Sequence, residues 1–319
     1  MVIDMKRIIS IVLFAVAILC SCKKGPAESI SFLNVEDTLR LVRGQTYQLQ
    51  VAVSPRKSGG RIRFFSTKNF MYQPYDDHGF DAPSADVDEQ GLITAICIGT
   101  TRIQAYAEGD CGPVSTYVNV VVEPNPEEYY NAGFDGRKLV DLGLSVLWCS
   151  TNVGTDKIEG LGDLFAWGET VPRSGDNQNK ESDYKFYGGV VKPYSKYTDA
   201  DGLTTLERVD DAVTCYRNSS WARTPTKSEW EELFNSCTRY ETEYNGIWGV
   251  AYIARNGHQI FLPYPSGGAS YASSSIGSHW SSCSYVFLGG SHSLSYPCPI
   301  SDTGARWVAY SFRGVAERN

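Results

Sequence analysis

What most limits this chain is the shortness of its apolar runs. After Leu19 no stretch is long and apolar enough to span a bilayer, and the remaining hydrophobic residues alternate with polar ones or stop at Gly, Pro, Asn and Asp. In Gly44 to Pro55, Tyr47, Leu49, Val51 and Val53 alternate with Gln48 and Gln50, which predicts one half-buried strand. Further strands are predicted at Arg61 to Phe65, Leu92 to Cys97, Thr101 to Ala107 and Thr116 to Val122. Gly59-Gly60, Glu89-Gln90-Gly91, Gly109-Asp110 and Gly112-Pro113 supply the turns between them. Short strands at this spacing predict a β-sandwich.

The start of the chain has another use. Lys6 and Arg7 form a basic segment and Ile8 to Leu19 a short apolar one, the organisation of a secretory signal. Leu19-Cys20-Ser21-Cys22 resembles the bacterial lipobox, in which a small residue precedes the cysteine that is acylated. Cys22 fits, whereas Cys20 follows the bulky Leu19. The resemblance implies a signal over 1–21, a tether over 22–29 and an outer-membrane lipoprotein, on its periplasmic or cell-surface face, whose membrane partner is reached only through lipid.

Leu41-Val42-Arg43-Gly44-Gln45-Thr46, Val53-Ser54-Pro55, Val87-Asp88-Glu89-Gln90-Gly91-Leu92-Ile93-Thr94-Ala95 and Gly99-Thr100-Thr101-Arg102-Ile103-Gln104-Ala105 resemble the bacterial immunoglobulin-like group 2 domain, over 30–123. The stretch from Asn69 to Ser84 reads as an insertion in that pattern. The resemblance implies a spacer or adhesive sandwich without catalytic residues. Glu123-Pro124-Asn125-Pro126-Glu127-Glu128 then reads as the start of a solvated linker over 124–137, because two prolines break a strand and the charges favour water. Glu123-Pro124-Asn125 also spells the sugar-binding tripeptide of calcium-dependent lectins, but its companion Trp-Asn-Asp does not occur. A solvated linker implies two modules that melt separately.

One helix is clear in the remainder. Thr226-Lys227-Ser228-Glu229 is a capping box, and Trp230, Leu233, Phe234 and Cys237 fall at the spacing of one buried helical stripe. Glu229, Glu231 and Glu232 suit the positive end of that helix. Around it, Val140-Asp141-Leu142-Gly143-Leu144-Ser145-Val146-Leu147-Trp148, Asn152-Val153-Gly154, Gly162-Asp163-Leu164-Phe165-Ala166-Trp167-Gly168-Glu169-Thr170, Asp210-Asp211-Ala212, Ile260-Phe261-Leu262-Pro263 and Trp280-Ser281-Ser282 occur in order. They resemble the Fibrobacter major paralogous domain and, more distantly, the formylglycine-generating variant of the C-type lectin fold, over 138–319. The fold class so implied is an all-β sandwich (Ig-like) followed by an α+β C-type-lectin-like domain. The sequence leaves the family pattern at Arg306-Trp307-Val308-Ala309-Tyr310.

Net charge is −7 and the basic residues are scattered, which argues against a nucleic-acid partner. Beyond Cys22 seven cysteines remain, an odd number for an exported chain, and none forms a CxxC or a zinc-finger spacing. The four histidines, His78, His258, His279 and His292, belong to no metalloprotease motif, so neither a metal nor another cofactor is expected. Asp210-Asp211 and Asp76-Asp77 read as solvated or capping pairs. The alternative is an oxidase-like enzyme, which needs a redox-active cysteine pair; Cys283 and Cys298 lack the spacing. A glycan-processing accessory protein is a further alternative. Binding has positive support: Ile260 to Ala305 holds a single charged side chain, Asp302, among Ser, Gly, Tyr, Pro and apolar residues. The ligand, a protein or a glycan, is accordingly expected on Tyr285, Phe287, His292, Tyr296, Trp307 and Tyr310. Cys283 to Arg306 also lacks Lys, Glu, Gln, Met and Trp, the alphabet expected of retroelement-diversified asparagine codons.

Replacing Cys22 by alanine should release the protein from the membrane fraction and abolish palmitate labelling. Labelling that persists would contradict the assignment.

Overall fold

The computed structural model describes residues 26–55, 61–67, 83–108, 112–131, 138–174, 180–189, 194–216, 219–265, 267–279, 281–289 and 300–318. Cys22 lies outside them. It is mostly β structure in several sheets. No helix among the described residues is long and apolar enough to cross a membrane.

The first part contains β1 (Ser29–Phe32), β2 (Thr38–Val42), β3 (Thr46–Gln48), β4 (Val51–Ser54), β5 (Arg63–Thr67), β6 (Ala85–Val87), β7 (Leu92–Ala95), β8 (Gly99–Ala107) and β9 (Val114–Glu123). A four-stranded sheet, in the order β2-β9-β8-β5, packs on a three-stranded sheet, β3-β7-β6, and β1 pairs with β4. Leu41, Leu49, Ile93, Ile103, Val118 and Val120 fill the space between. Period-two alternation explains this: on β8, Ile103 and Ala105 are buried while Arg102 is exposed and Gln104 and Tyr106 are half-buried. The turn before β7 is fastened by Asp88, whose Oδ1 accepts from the amides of Gln90 and Leu92. Gly91 takes φ +83° there, with a Phe64 ring carbon 2.8 Å from where a Cβ would be.

The expected single strand from Gly44 to Pro55 is two strands. At Leu49 and Gln50 the chain leaves the β3-β7 ladder and joins β1. Gly91 O accepts from the Leu49 amide, and Asn34 Oδ1 accepts from the Gln50 amide. Alternation continues through such a crossing, so it does not reveal the change of partner.

The second part contains β10 (Tyr129–Asn131), β11 (Lys138–Val140), β12 (Val146–Asn152), β13 (Leu164–Ala166), α1 (Ala212–Cys215), α2 (Lys227–Ser236), β14 (Thr238–Tyr244), β15 (Ile247–Ile253), β16 (Gln259–Pro263), β17 (Ala269–Ile276), β18 (Ser282–Leu288), β19 (Ile300–Ala305), β20 (Ala309–Ser311) and β21 (Arg313–Glu317). These strands form three sheets: β10-β11-β12-β21, β13-β20-β17-β18-β19 and β14-β15-β16. The capping box holds, with Glu229 Oε2 accepting from the Thr226 amide at 2.7 Å. Trp230 packs edge-on against Trp148 at 4.8 Å and near Tyr271 at 6.0 Å. Arg313 is fully buried and donates to Cys149 O at 2.9 Å and Phe261 O at 2.8 Å, so one guanidinium ties β12, β16 and β21 together.

Over its described residues, 124–131, the expected solvated linker is packed. Asn125 caps a 3-10 turn at Pro126–Glu128 by accepting from the Glu127 amide. Glu128 is buried and faces Arg43 at 3.5 Å, and Tyr129 at once enters β10. Cys97, Ile98 and Val121 of the sandwich share one core with Tyr244, Ala251 and Phe261. The Ile98 amide donates to Gln259 Oε1 at 2.9 Å, and the hydroxyls of Ser84 and Thr242 meet at 2.6 Å, both buried. Burying a side chain of the size of Ile98 or Phe261 contributes about 1.5–3 kcal/mol, so the seam stabilises the joined state by several such amounts.

Gly99 is what permits the approach. Its φ is +150°, and a Cβ there would lie 2.0 Å from Thr242 Oγ1 and 2.2 Å from Ser84 Oγ. Scanning calorimetry should show one transition for the wild-type protein and two for Gly99→Val. A single, unshifted transition in the variant would contradict the seam.

Candidate functional site

The residues expected to bind are not gathered in one place. Cys283, Tyr285 and Phe287 alternate along β18, and their burial falls from complete at Cys283 to partial at Tyr285 and Phe287. Cys283 belongs to the core formed by Phe165, Trp167, Tyr184, Tyr197 and Phe312, and Tyr285 packs against the rim of that core. Each of the two half-buried rings is seated beside a glycine. A Cβ on Gly304 would lie 2.6 Å from Tyr285 Cδ1, and one on Gly268 would lie 2.5 Å from Phe287 Cζ. The rings therefore rest against bare backbone, a placement that a larger residue at either glycine would forbid.

Trp307 stands at the other end of β19, half-buried in the turn to β20. That turn is clamped. Arg306 is fully buried, its guanidinium carbon 4.6 Å from the Trp167 ring centroid, 5.0 Å from Tyr194, 5.4 Å from Tyr197 and 5.7 Å from Tyr184. Its Nη1 and Nη2 donate to the carbonyls of Tyr197 and Lys196. From the other side Arg173, paired with Glu169, donates to Trp307 O at 3.0 Å. A buried cation is thus held within an aromatic cage at the root of this turn.

Tyr310 does not belong to a binding face. It is 3 % exposed, its hydroxyl donates to Ala305 O at 2.9 Å, and its ring lies 5.6 Å from Tyr285. Its register on β20 sets it opposite Phe165 of β13, and both rings belong to one buried core. His292 and Tyr296 lie outside the described residues, as do Trp280, Cys298, Cys111 and Asp76-Asp77.

The remaining sequence candidates have structural work. Asp302 pairs with Lys227 of α2 and accepts from the Ser284 hydroxyl; although burial opposes it, these donors hold its carboxyl below the usual range. Asp211 caps α1 through Val213 and accepts from Thr224, as a capping reading predicts, and burial pushes its carboxyl up. Asp210 is not solvated. It is buried, and it ion-pairs with Lys185 at 2.6 Å and Lys196 at 2.5 Å while accepting from the Tyr197 hydroxyl. Neither its burial nor Lys185 and Lys196 could be foreseen, because the partners come from loops 14 and 25 positions away.

Cys283 is a buried thiol whose Sγ donates to Gly304 O at 3.5 Å, and burial pushes its pKa up to about 12, so at neutral pH it is not a thiolate. Among the described residues no disulfide forms and no group of three metal-ligating side chains gathers. Within β18 and β19, Cys283, Ser284, Val286, Leu288 and Gly304 are buried, so residue exchange there is tolerated only at the alternate positions between them.

No family model and no curated protein matches the chain. Among solved structures it is similar to a Bacteroides ovatus protein described as the mixed-linkage glucan utilization locus SGBP-B in complex with a mixed-linkage heptasaccharide, at 10 % identity and a TM-score of 0.26. The match covers 92 % of this chain and 62 % of that one, so the chain spans under two thirds of its length.

Burial works against the charge on Asp210, but the hydrogen bonds from Lys185, Lys196 and Tyr197 outweigh it and lower its pKa. A lowered folded pKa contributes stability above the unfolded value of about 3.9, and that contribution is lost as pH falls through the folded value. The melting temperature should therefore fall between pH 5 and pH 2 by a larger margin in the wild type than in Asp210→Asn, which lacks the titrating group. Equal losses would show that the network contributes nothing.

Proposed function

We propose that this chain is a non-catalytic ligand-binding lipoprotein, held at the outer membrane through Cys22 and presenting its ligand face on the second module. The observation that carries the reading is β18, where Tyr285 and Phe287 follow Cys283 along one face and are left half-buried beside Gly304 and Gly268. Two partly exposed rings on a rigid strand offer amphipathic contact area at little entropic cost. Trp307, half-buried at the clamped turn, is a further candidate at the other end of β19, and His292 and Tyr296 belong to the segment that joins β18 to β19. The sequence resemblances to an immunoglobulin-like group 2 domain and to a Fibrobacter major paralogous domain, with its C-type-lectin-like fold, support the same assignment. The ligand is a protein or a glycan.

The competing oxidase-like reading is disfavoured by Cys283, whose thiol lies in the core and is not poised to ionise. Diversification of the ligand face is retained only for positions 285, 287, 301 and 303 and for the segment between the two strands.

Probing glycan and protein arrays with residues 26–319 should identify a ligand that Tyr285→Ser with Phe287→Ser binds at least tenfold more weakly. Phe287→Ser alone should lower the melting temperature by only a few degrees, because its ring packs against no core cluster among the described residues. Full binding by the double variant would move the ligand face elsewhere.

A further inference from the structure

The outward face of the four-stranded sandwich sheet carries a second array of aromatic side chains. The ladder registers place Phe65 opposite Gln104 and Gln104 opposite Tyr117; one row along, Arg63 lies opposite Tyr106 and Tyr106 opposite Ser115. Phe65 is 49 % exposed and Tyr117 53 %, although their strand neighbours Phe64 and Val118 point into the core. Large apolar side chains at this exposure, side by side on one sheet, are costly unless something covers them.

The array is rigid. Phe65 and Tyr106 meet edge to face at 5.4 Å, the Tyr106 hydroxyl donates to Gln104 Oε1 at 2.7 Å, and Gln104 Nε2 donates to Ser115 Oγ at 3.1 Å. Arg102 lies 4.3 Å over the Tyr117 ring. At the edge of the sheet Arg61, Arg63, Phe65, Tyr106, Ala107, Glu108 and Pro113 line a cleft of about 330 Å³, within the range of small-ligand sites.

Two features select the occupant. Phe65 and Tyr117 stand on next-but-one strands, about 10 Å apart by twice the usual strand spacing, which matches a disaccharide step along a sugar chain. The charge is the second. On a chain of net charge −7, Arg63 and Arg102 lie beside these rings, whereas Arg61 is ion-paired with Glu89 at 2.9 Å and Glu108 lines the cleft. A second copy of the chain docked through this face about a twofold axis would bring the arginines of the two copies together, which disfavours that occupant.

We propose that this face is a second binding site, separate from the face on β18, and that its ligand is a polysaccharide bearing carboxylates. Sugar rings stack on Phe65 and Tyr117, and a carboxylate meets the guanidinium of Arg63, with Arg102 beside the second ring.

Affinity electrophoresis of residues 26–319 through gels containing polygalacturonate or, separately, a neutral β-glucan tests this. The wild type should be retarded by polygalacturonate, more at low salt than at high. Phe65→Ala with Tyr117→Ala should lose at least tenfold in affinity, and Arg63→Gln should lose at least threefold for polygalacturonate. Tyr285→Ser with Phe287→Ser should be retarded like the wild type, which separates this site from the one on β18. The proposal is overturned if polygalacturonate does not retard the wild type, if the Phe65/Tyr117 variant is retarded equally, or if the neutral polymer retards as strongly as the acidic one. Concentration-dependent dimerisation abolished by Phe65→Ala would also overturn it, in favour of a second copy.

Discussion

The close approach at Gly99 governs how the molecule can present anything. Because no side chain intervenes there, the hydroxyls of Ser84 and Thr242 can meet at 2.6 Å, and Ile98 can reach both Gln259 and the core around Phe261. Burying such polar pairs is favourable only if each finds its partner, so the seam has one productive arrangement and few near misses. The sandwich and the second module consequently form one body. A ligand held on either is held in a fixed orientation to the other.

Two buried arginines set the second module in a comparable way. Arg313 is surrounded by backbone carbonyls and ties three strands, while Arg306 fills a cage of four rings. Burial pulls the Arg313 pKa down from its ordinary value, while its Nη1 and Nη2 donate to the carbonyls of Cys149 and Phe261. Arg306 lies in the turn that carries Trp307, and Arg313 follows seven positions later, beyond β20.

Local chemistry was legible from the residues themselves. The Thr226–Glu229 box, the Trp230 stripe, the Asp88–Gly91 turn and the alternation on β8 all depend on neighbours a few positions away, and all are found. Contacts between distant positions were not. Glu128 reads as a solvated charge until Arg43, 85 residues earlier, is known to face it. Asp210 reads as a loop acid until Lys185 and Lys196 close on it. Leu49 keeps its alternation while the chain changes sheets. At the candidate site the same rule applies: Tyr285 and Phe287 read as loop aromatics until β18 is known to carry them, and Tyr310 is buried because it lies opposite Phe165, a partner 145 positions earlier. Phe65 and Tyr117 obey the same rule, since they are 52 positions apart and share one face only through the register of three strands.

Amide residual dipolar couplings measured on one weakly aligned sample of residues 26–319 test the fused body most directly. Couplings from 30–123 and from 138–318 should fit a single alignment tensor of one magnitude and orientation. Two tensors of different magnitude would show that the modules reorient independently and that the contacts through Gly99 do not hold them together.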